Sequence, residues 1–460
     1  MSAANGLEVK VRTKRTGFAP VRTFSTLAGA VAVIAAAPVS FPSAAHAATV
    51  AVDSGRVVES FYDSRAERPL WLQAGQLTPA AQQLLSLMRS ARIDGLDPAR
   101  YAPEGLDKLL RKAADGNEGA ARKADMLIST AFVAYARDLR SAGSPEVKYL
   151  DPQLRSDAPS AGRLLQMAAA APSLETFVSG MGWMNPAYAP LRRALVSGNY
   201  DGEKQRSLLR INLQRARALP AGWPRSIVVN AAAQTLYMYE GDRLVDSMKV
   251  VVGKQKDNNR TPMMASFVRQ ASLNPYWNVP PDLAAERIAP NVVKFGLGYL
   301  KKHGYQVLSD WSDNPSQIDP ATIDWKAVAD GTLEVRVRQV PGPGNALGKV
   351  KFTFPNPYGV YMHDTPDREL LTEETRLFSG GCIRLEDADR LGEWLFGREL
   401  KATSKDPDIP VPLDKPVPVY VTYLTAVPNG STITYLNDVY GWDAQRLAEL
   451  GVGGGTVASR

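Results

Sequence analysis

Among 460 residues there is one cysteine, Cys382, and there are three histidines. A single thiol excludes an internal disulfide framework and a cysteine-rich metal site. It leaves a reactive group, half of an intermolecular bridge, or a small buried hydrophobe. Long apolar runs are also missing. The stretch from Leu27 to Ala37 is too short to span a bilayer, and nothing after it approaches transmembrane length. Charge of one sign is scarce too. Of the net +7, residues 1–47 carry +4 and the rest of the chain only +3, which gives no argument for a nucleic-acid partner.

What is present begins with a targeting pattern. Lys10, Arg12, Lys14, Arg15 and Arg22 precede the apolar run, and the small-residue site Ala45-His46-Ala47 follows it. This is the order of a secretory signal peptide over residues 1–47, cleaved before Ala48, with an uncleaved anchor as the alternative. The expected mature protein is exported, with a periplasmic location, and is long enough for two or three domains with full cores.

Residues 48–220 read as a helical domain. Thr78-Pro79 is an N-cap followed by proline at the first helical position, and Ala81, Leu84, Leu85 and Met88 recur at helical spacing up to Gly95. Further helices are expected over Glu118–Arg140, Ala161–Ala170 and Gly202–Ala218. No His, Cys or carboxylate cluster with ligand spacing occurs here, so the acidic residues read as a solvated face and the domain as a scaffold.

At Leu219-Pro220-Ala221-Gly222-Trp223-Pro224 the composition changes. Residues 221–450 read as a β-rich domain, with Ser226–Val229, Gln234–Tyr239 and Leu244–Val252 as strands and Glu240-Gly241-Asp242 as a hairpin turn. Lys349–Phe354 alternates, and a final pair, Pro416–Thr425 and Ser431–Leu436, closes the region. An insertion over 274–340 interrupts it, with helices expected near Asp282–Ile288 and Asn291–His303. Its aromatics, Tyr276, Trp277, Tyr305, Trp311 and Trp325, are either core or the inner face of a lid. Arg338, Gln339 and Asn345 flank the return to the sheet, where they either support the cleft or touch substrate. Residues 451–460 read as a flexible tail.

His363 lies nineteen residues before Cys382, in "YMHDTP". In a strand Tyr361 and His363 share one face while Val360 and Met362 share the other. An imidazole beside a thiol takes its proton or holds it as an ion pair. The glycines of "SGGCIRL" let a backbone amide approach a substrate carbonyl, which makes the N–H groups of Cys382 and Gly381 candidate oxyanion donors. Asp364 alternates away from His363, so a backbone carbonyl is the expected orienting group. Ala388, Leu391 and Leu395 mark a helical face beyond the loop. The remaining histidine past residue 47, His303, reads as exposed or structural, so no metal site and no cofactor are expected.

The block "YMHDTPDRELLTEETRLFSGGCIRL" resembles the catalytic signature of L,D-transpeptidases with the YkuD-type domain. "NPYWNVP", "RQVPGPGNALGKVKFTFPN" and "FYDSRAERPLWL" are similar to their large, YcbB-like subgroup, which has a helical scaffold domain and a capping insertion. The resemblance implies a multidomain α+β chain, with a mainly helical scaffold and a β-rich catalytic domain carrying a partly helical lid. It implies Cys382 as nucleophile, His363 as base and Gly381 at the oxyanion hole. Tyr361, Arg384, Ser379, Gly380, Trp277, Tyr276 and Asn345 become substrate-side residues. The implied partners are peptidoglycan stem peptides and carbapenem inhibitors, and a monomer is expected. Gly380 stands where many relatives have histidine, which leaves the base role to His363. Many large relatives also carry a small wall-binding module, for which Leu191–Leu219 leaves no room. A cysteine peptidase or amidase cutting stem peptides, and a non-catalytic wall-binding scaffold, are the alternatives.

Overall fold

The computed structural model describes residues 55–452, except 67, 142–143, 156–158 and 257–258. The expected signal peptide over residues 1–47 and the expected tail from 453 lie outside the described residues. The chain forms two compact units, one holding 274–349 with 403–409, the other holding the remaining described residues.

The larger unit starts with helices. Thr78 caps Pro79–Arg89 by accepting the Ala81 N–H, and proline at the first position costs no hydrogen bond there. The apolar stripe Ala81, Leu84, Leu85 and Met88 is buried, as the spacing predicts. The helix ends at Arg89 rather than Gly95. A 3₁₀ turn, Ala91–Asp94, follows, and Gly95 closes it at φ 72°. Helices Leu106–Ala114, Glu118–Ser141, Ala161–Ala170, Leu174–Ser179, Tyr188–Ser197 and Gly202–Arg217 follow. The last two fill the stretch in which a wall-binding module would lie.

The expected solvated acidic face is a correction. Asp94 and Asp125 are both 1% exposed. Asp125 accepts the backbone N–H groups of Leu70, Trp71 and Leu72 at 2.7, 2.7 and 2.9 Å and the Tyr62 hydroxyl. Asp94 binds Arg192 through both oxygens at 2.9 to 3.0 Å and accepts from Tyr135 and Tyr188, each at 2.9 Å. Such carboxylates bury because donors replace their water. The donors come from 41 to 98 residues away, beyond the reach of local pattern.

After the helices comes the sheet. Its strands are β1 Arg225–Asn230, β2 Thr235–Glu240, β3 Arg243–Gly253, β4 Met264–Leu273, β5 Val350–Thr353, β6 Met362–His363, β7 Leu377–Ser379, β8 Ile383–Leu385 and β9 Ile409–Thr422. Spatial order is β5-β6-β8-β3-β2-β1-β9-β4, and β5 also pairs β4, so the sheet closes on itself. Closure removes the exposed edges on which a sheet would aggregate. The short strand Lys148–Tyr149 joins β4, which ties the helical segment to the sheet. Buried Arg215 strengthens the tie through Glu146 at 2.6 Å, the Tyr423 carbonyl at 3.0 Å and Asp443 at 2.5 Å. The expected terminal pair separates. β9 runs parallel to β1, while Thr432–Tyr435 pairs with Ala426–Asn429 in a sheet of their own.

The smaller unit has its own core around Val279, Ile288, Val292, Val307, Trp325 and Val337. Besides helices it contains a four-stranded antiparallel sheet built from Trp277–Val279, Tyr305–Leu308, Gln317–Ile318 and Arg336–Gln339. The helical segment runs unbroken from Pro281 to Phe295 and stops at Gly296, φ 75°. A π-turn, Ala284–Ile288, widens the helix just before Pro290, which lacks the N–H a regular turn needs. The break expected before Asn291 is therefore absorbed as a bulge.

Candidate active site

Two parallel strands set the site. β6 pairs with β8 as Met362↔Ile383 and His363↔Arg384, and the Ile383 N–H donates to the Tyr361 carbonyl at 3.0 Å. Met362 and Ile383 are buried in the sheet interior. Registered residues of parallel strands share a face, so Tyr361, His363, Cys382 and Arg384 project together on the other side. The ring centroids of Tyr361 and His363 are 5.8 Å apart.

His363 is 3% exposed, and its Nδ1 meets the Asp364 carbonyl at 2.5 Å. A carbonyl only accepts, so Nδ1 carries the proton and Nε2 is the basic nitrogen. Burial, with Arg384 and Lys351 nearby, lowers the imidazole to about 3. Cys382 keeps part of its surface open, and its thiol faces the Gly359 carbonyl at 3.6 Å. Burial pushes the thiol up to about 11, against the opposing influence of neighbouring Tyr361 and Arg384. Tyr361 in turn is raised above its usual range, chiefly by burial and then by Cys382. Burial thus favours the neutral form of both the thiol and the imidazole.

The loop before the cysteine is clamped from two sides. Ser379 Oγ accepts the Gly381 N–H at 3.1 Å and donates to the Cys382 carbonyl at 2.6 Å. On the other side Thr261 Oγ1 accepts the Gly253 N–H and donates to the Gly381 carbonyl, both at 2.9 Å. The Tyr440 hydroxyl donates to the Gly253 carbonyl at 2.8 Å. Gly381 sits at φ 120°, which side chains rarely adopt, and a Cβ on Gly253 would lie 1.8 Å from the Asn259 carbonyl oxygen. Beyond the loop Asp387 caps Ala388–Phe396, whose Ala388, Leu391 and Leu395 are buried.

Several of the expected substrate-side residues already have protein partners. Ser379, 3% exposed, is used up in holding the loop, and Gly381 gives its N–H to Ser379 rather than to an open site. Asn345, 1% exposed, donates to the carbonyls of Pro275, Gln339 and Val340 and accepts the Leu347 N–H, so it holds the insertion's return turn. Gly380 is exposed. Arg384 is bound to Asp367 at 2.6 Å. In the smaller unit Tyr276 lies under the Arg338 guanidinium at 4.2 Å, and Trp277 is half-buried against Tyr305 at 6.4 Å. Trp325 is core, Trp311 is exposed, and exposed His303 packs on Tyr299.

Two residues absent from the sequence-derived set join this face. Thr261 had no local signal, being 120 positions from Gly381. Lys351 did have one, because Val350 and Phe352 alternate inward around it. The pairing Lys351↔His363 puts its stem beside the imidazole, and its Nζ stands 5.5 Å from the Tyr361 ring centroid. Among the described residues no group of three or more His, Cys, Asp or Glu could hold a metal ion.

A chain with this architecture matches known families over most of its length. Residues 56–195 match the Scaffold domain, and residues 224–419 match YkuD, the L,D-transpeptidase catalytic domain. A Haemophilus influenzae protein named "Putative L,D-transpeptidase" is 30% identical over 405 residues, covering 85% of this chain and 78% of the relative. The chain belongs to the L,D-transpeptidase family. As an L,D-transpeptidase it is a multidomain α+β protein with a helical scaffold region and a β-rich YkuD domain, as the resemblance implied. No described helix is long and apolar enough to cross a membrane.

Proposed function

We propose that the protein is an exported, periplasmic L,D-transpeptidase that cross-links peptidoglycan through a thioester on Cys382. The observation that carries this reading is the shared face of Cys382 and His363, with Nδ1 tied to the Asp364 carbonyl and Nε2 left as the base. The donor is a tetrapeptide stem. His363 Nε2 takes the thiol proton as sulfur attacks the carbonyl of the L-centre of the third residue, a diamino acid such as meso-diaminopimelate. The oxyanion meets the Cys382 N–H, because the Gly381 N–H is already committed. On collapse the terminal D-Ala nitrogen departs with the proton from His363, leaving the thioester. An amine of a second stem then attacks the thioester, gives its proton to His363 and releases the thiol, forming a 3→3 cross-link.

Starting neutral suits this order of events. A permanently ionised thiol would be exposed to adventitious oxidation, whereas a neutral thiol gives up its proton only as it attacks, once bound substrate has aligned it with the base. Support for the family comes from the catalytic and scaffold matches.

The test is intact-protein mass spectrometry with purified disaccharide-tetrapeptide, beside Cys382→Ala. The expected outcome is a covalent acyl-enzyme and a cross-linked dimer, both lost in the variant. A carbapenem, whose strained lactam acylates a thiolate, should add once to the wild type and not to the variant. Shortened monomers without a dimer would replace the reading by a peptidase. Folded protein with neither adduct nor product would replace it by a non-catalytic scaffold.

A further inference from the structure

Two cations stand on the reaction face, and their surroundings differ. The Arg384 guanidinium is neutralised by Asp367 at 2.6 Å. Lys351 has no carboxylate within ion-pair distance among the described residues. Its ammonium rests over the Tyr361 ring at 5.5 Å, and that tyrosine shares the face of the nucleophile. The register of β5 against β6 fixes the lysine's stem opposite His363, so the charge is held to one side of the reacting thiol.

The site's own chemistry does not use up this charge. Tyr361 offers only a weak cation–π partner where water competes. The base is neutral at rest, and a carbonyl oxygen orients it. A lone ammonium on the face that carries the thiol, beside an aromatic ring and an arginine already neutralised by Asp367, is the complement of an anion that arrives with the substrate. Under the function proposed above, the donor stem ends in a free carboxylate. It lies on the amino acid whose nitrogen is expelled, one Cα beyond the bond that breaks.

We propose that Lys351 is a specificity-determining residue that takes the terminal carboxylate of the leaving amino acid, so that the enzyme selects stems ending in a free acid directly after the scissile bond. The inference rests on the donor reading of the site and adds to it the chemical feature by which the donor is chosen. It also separates donor from acceptor, since an acceptor stem offers an amine at this point and gains nothing from Lys351. After transfer the same contact holds the departing amino acid, and its release frees the face for the acceptor.

The experiment pairs two substrates with three proteins. Wild type, Lys351→Met and Lys351→Arg are assayed for release of the terminal residue from a tetrapeptide stem and from its C-terminal amide. The wild type should favour the free acid at least tenfold in kcat/KM. Lys351→Met should handle both alike, at the level of the wild type on the amide, and Lys351→Arg should restore much of the preference. A second readout needs no peptidoglycan chemistry: alkylation of Cys382 by iodoacetate and by iodoacetamide. The iodoacetate-to-iodoacetamide rate ratio should fall at least threefold in Lys351→Met and recover in Lys351→Arg. Equal losses with both reagents would mean that Lys351 only stabilises the thiolate, and would overturn the proposal. So would a wild type indifferent to the amide, or a Lys351→Met that keeps the preference. If the alkylation ratio shifts as expected while no protein releases a terminal residue, the donor reading fails and only an anion subsite of other purpose survives.

Discussion

The scaffold helices and the catalytic face both bury titratable groups, with opposite results. Asp94 and Asp125 are shielded from water, yet each is surrounded by donors, including a bidentate arginine in one case and three consecutive backbone N–H groups in the other. Cys382 and His363 lack such a partner set: burial outweighs the pull of Arg384 and Lys351 on the thiol, the same cations add to burial at the imidazole, and each group is driven toward its neutral form. Burial with a full partner set makes a charge into a structural bolt, while burial without one stores a proton-transfer pair. Removing a group should therefore damage stability in the first region and chemistry in the second.

The sharpest break of that comparison is Cys382→Ala. Acyl transfer should fall by roughly 10⁴-fold or more, as for loss of a nucleophile elsewhere. The unfolding free energy should move by about 1 kcal/mol or less, since no hydrogen-bond network is dismantled. A stopped transfer assay beside a thermal melt decides it, and a collapse of the melt would return the cysteine to a packing role.

Arg192→Met is the counterpart in the scaffold. It leaves Asp94 buried without its cation, which should cost about 3–5 kcal/mol of stability. Transfer rate per folded molecule should stay at the wild-type value, because nothing on the catalytic face touches this pair. Urea titration followed by activity at low temperature separates the two quantities. An activity loss without a stability loss would mean that the regions are not independent in the way their hydrogen bonds indicate.

Proton linkage sharpens the contrast next. The imidazole falls from its ordinary 6.5 to about 3 in the fold. Between those values the unfolded chain binds the extra proton, so this contribution to stability is complete above 6.5 and is lost as pH falls toward 3. His363→Gln should accordingly flatten the acid limb of a stability–pH curve. The thiol rises from 9 to about 11, so iodoacetamide alkylation should climb about tenfold per pH unit from 7 to 10. A plateau near neutrality would reveal a thiolate–imidazolium pair.

How much of this was legible follows from distance along the chain. The Thr78-Pro79 cap, the stripe up to Met88, the alternation of Val360 to His363 and the "SGGCIRL" loop are all local, and local spacing was enough to read them. The carbonyl that orients His363 was legible for the same reason, being one residue away. Asp94 and Asp125 were not, because their donors come from segments 41 to 98 residues distant and an isolated aspartate looks like surface. Ser379 was placed on the substrate side by resemblance, and Asn345 was left between cleft support and substrate contact. Only the turn geometry shows that their hydrogen bonds are already spent on backbone. The smaller unit's sheet was hidden by short strands of two to four residues, too brief for a period of two to register.

The smallest effect tests where the two regions meet. Tyr440 stacks on Tyr423, whose carbonyl receives Arg215 from the last scaffold helix, and Tyr440 also binds the Gly253 carbonyl. Thr261 then links Gly253 to the Gly381 carbonyl, so a chain of buried contacts runs from the scaffold to the residue before the nucleophile. Thr261→Val keeps the shape but strands the Gly253 N–H and the Gly381 carbonyl, a cost of about 1–3 kcal/mol. If that cost falls on loop position, kcat for acylation should drop roughly tenfold with KM unchanged, and Thr261→Ser should restore it. If it falls on global stability alone, the melt should shift while kcat per folded molecule holds, and the catalytic loop would owe its aim to Ser379 rather than to the scaffold.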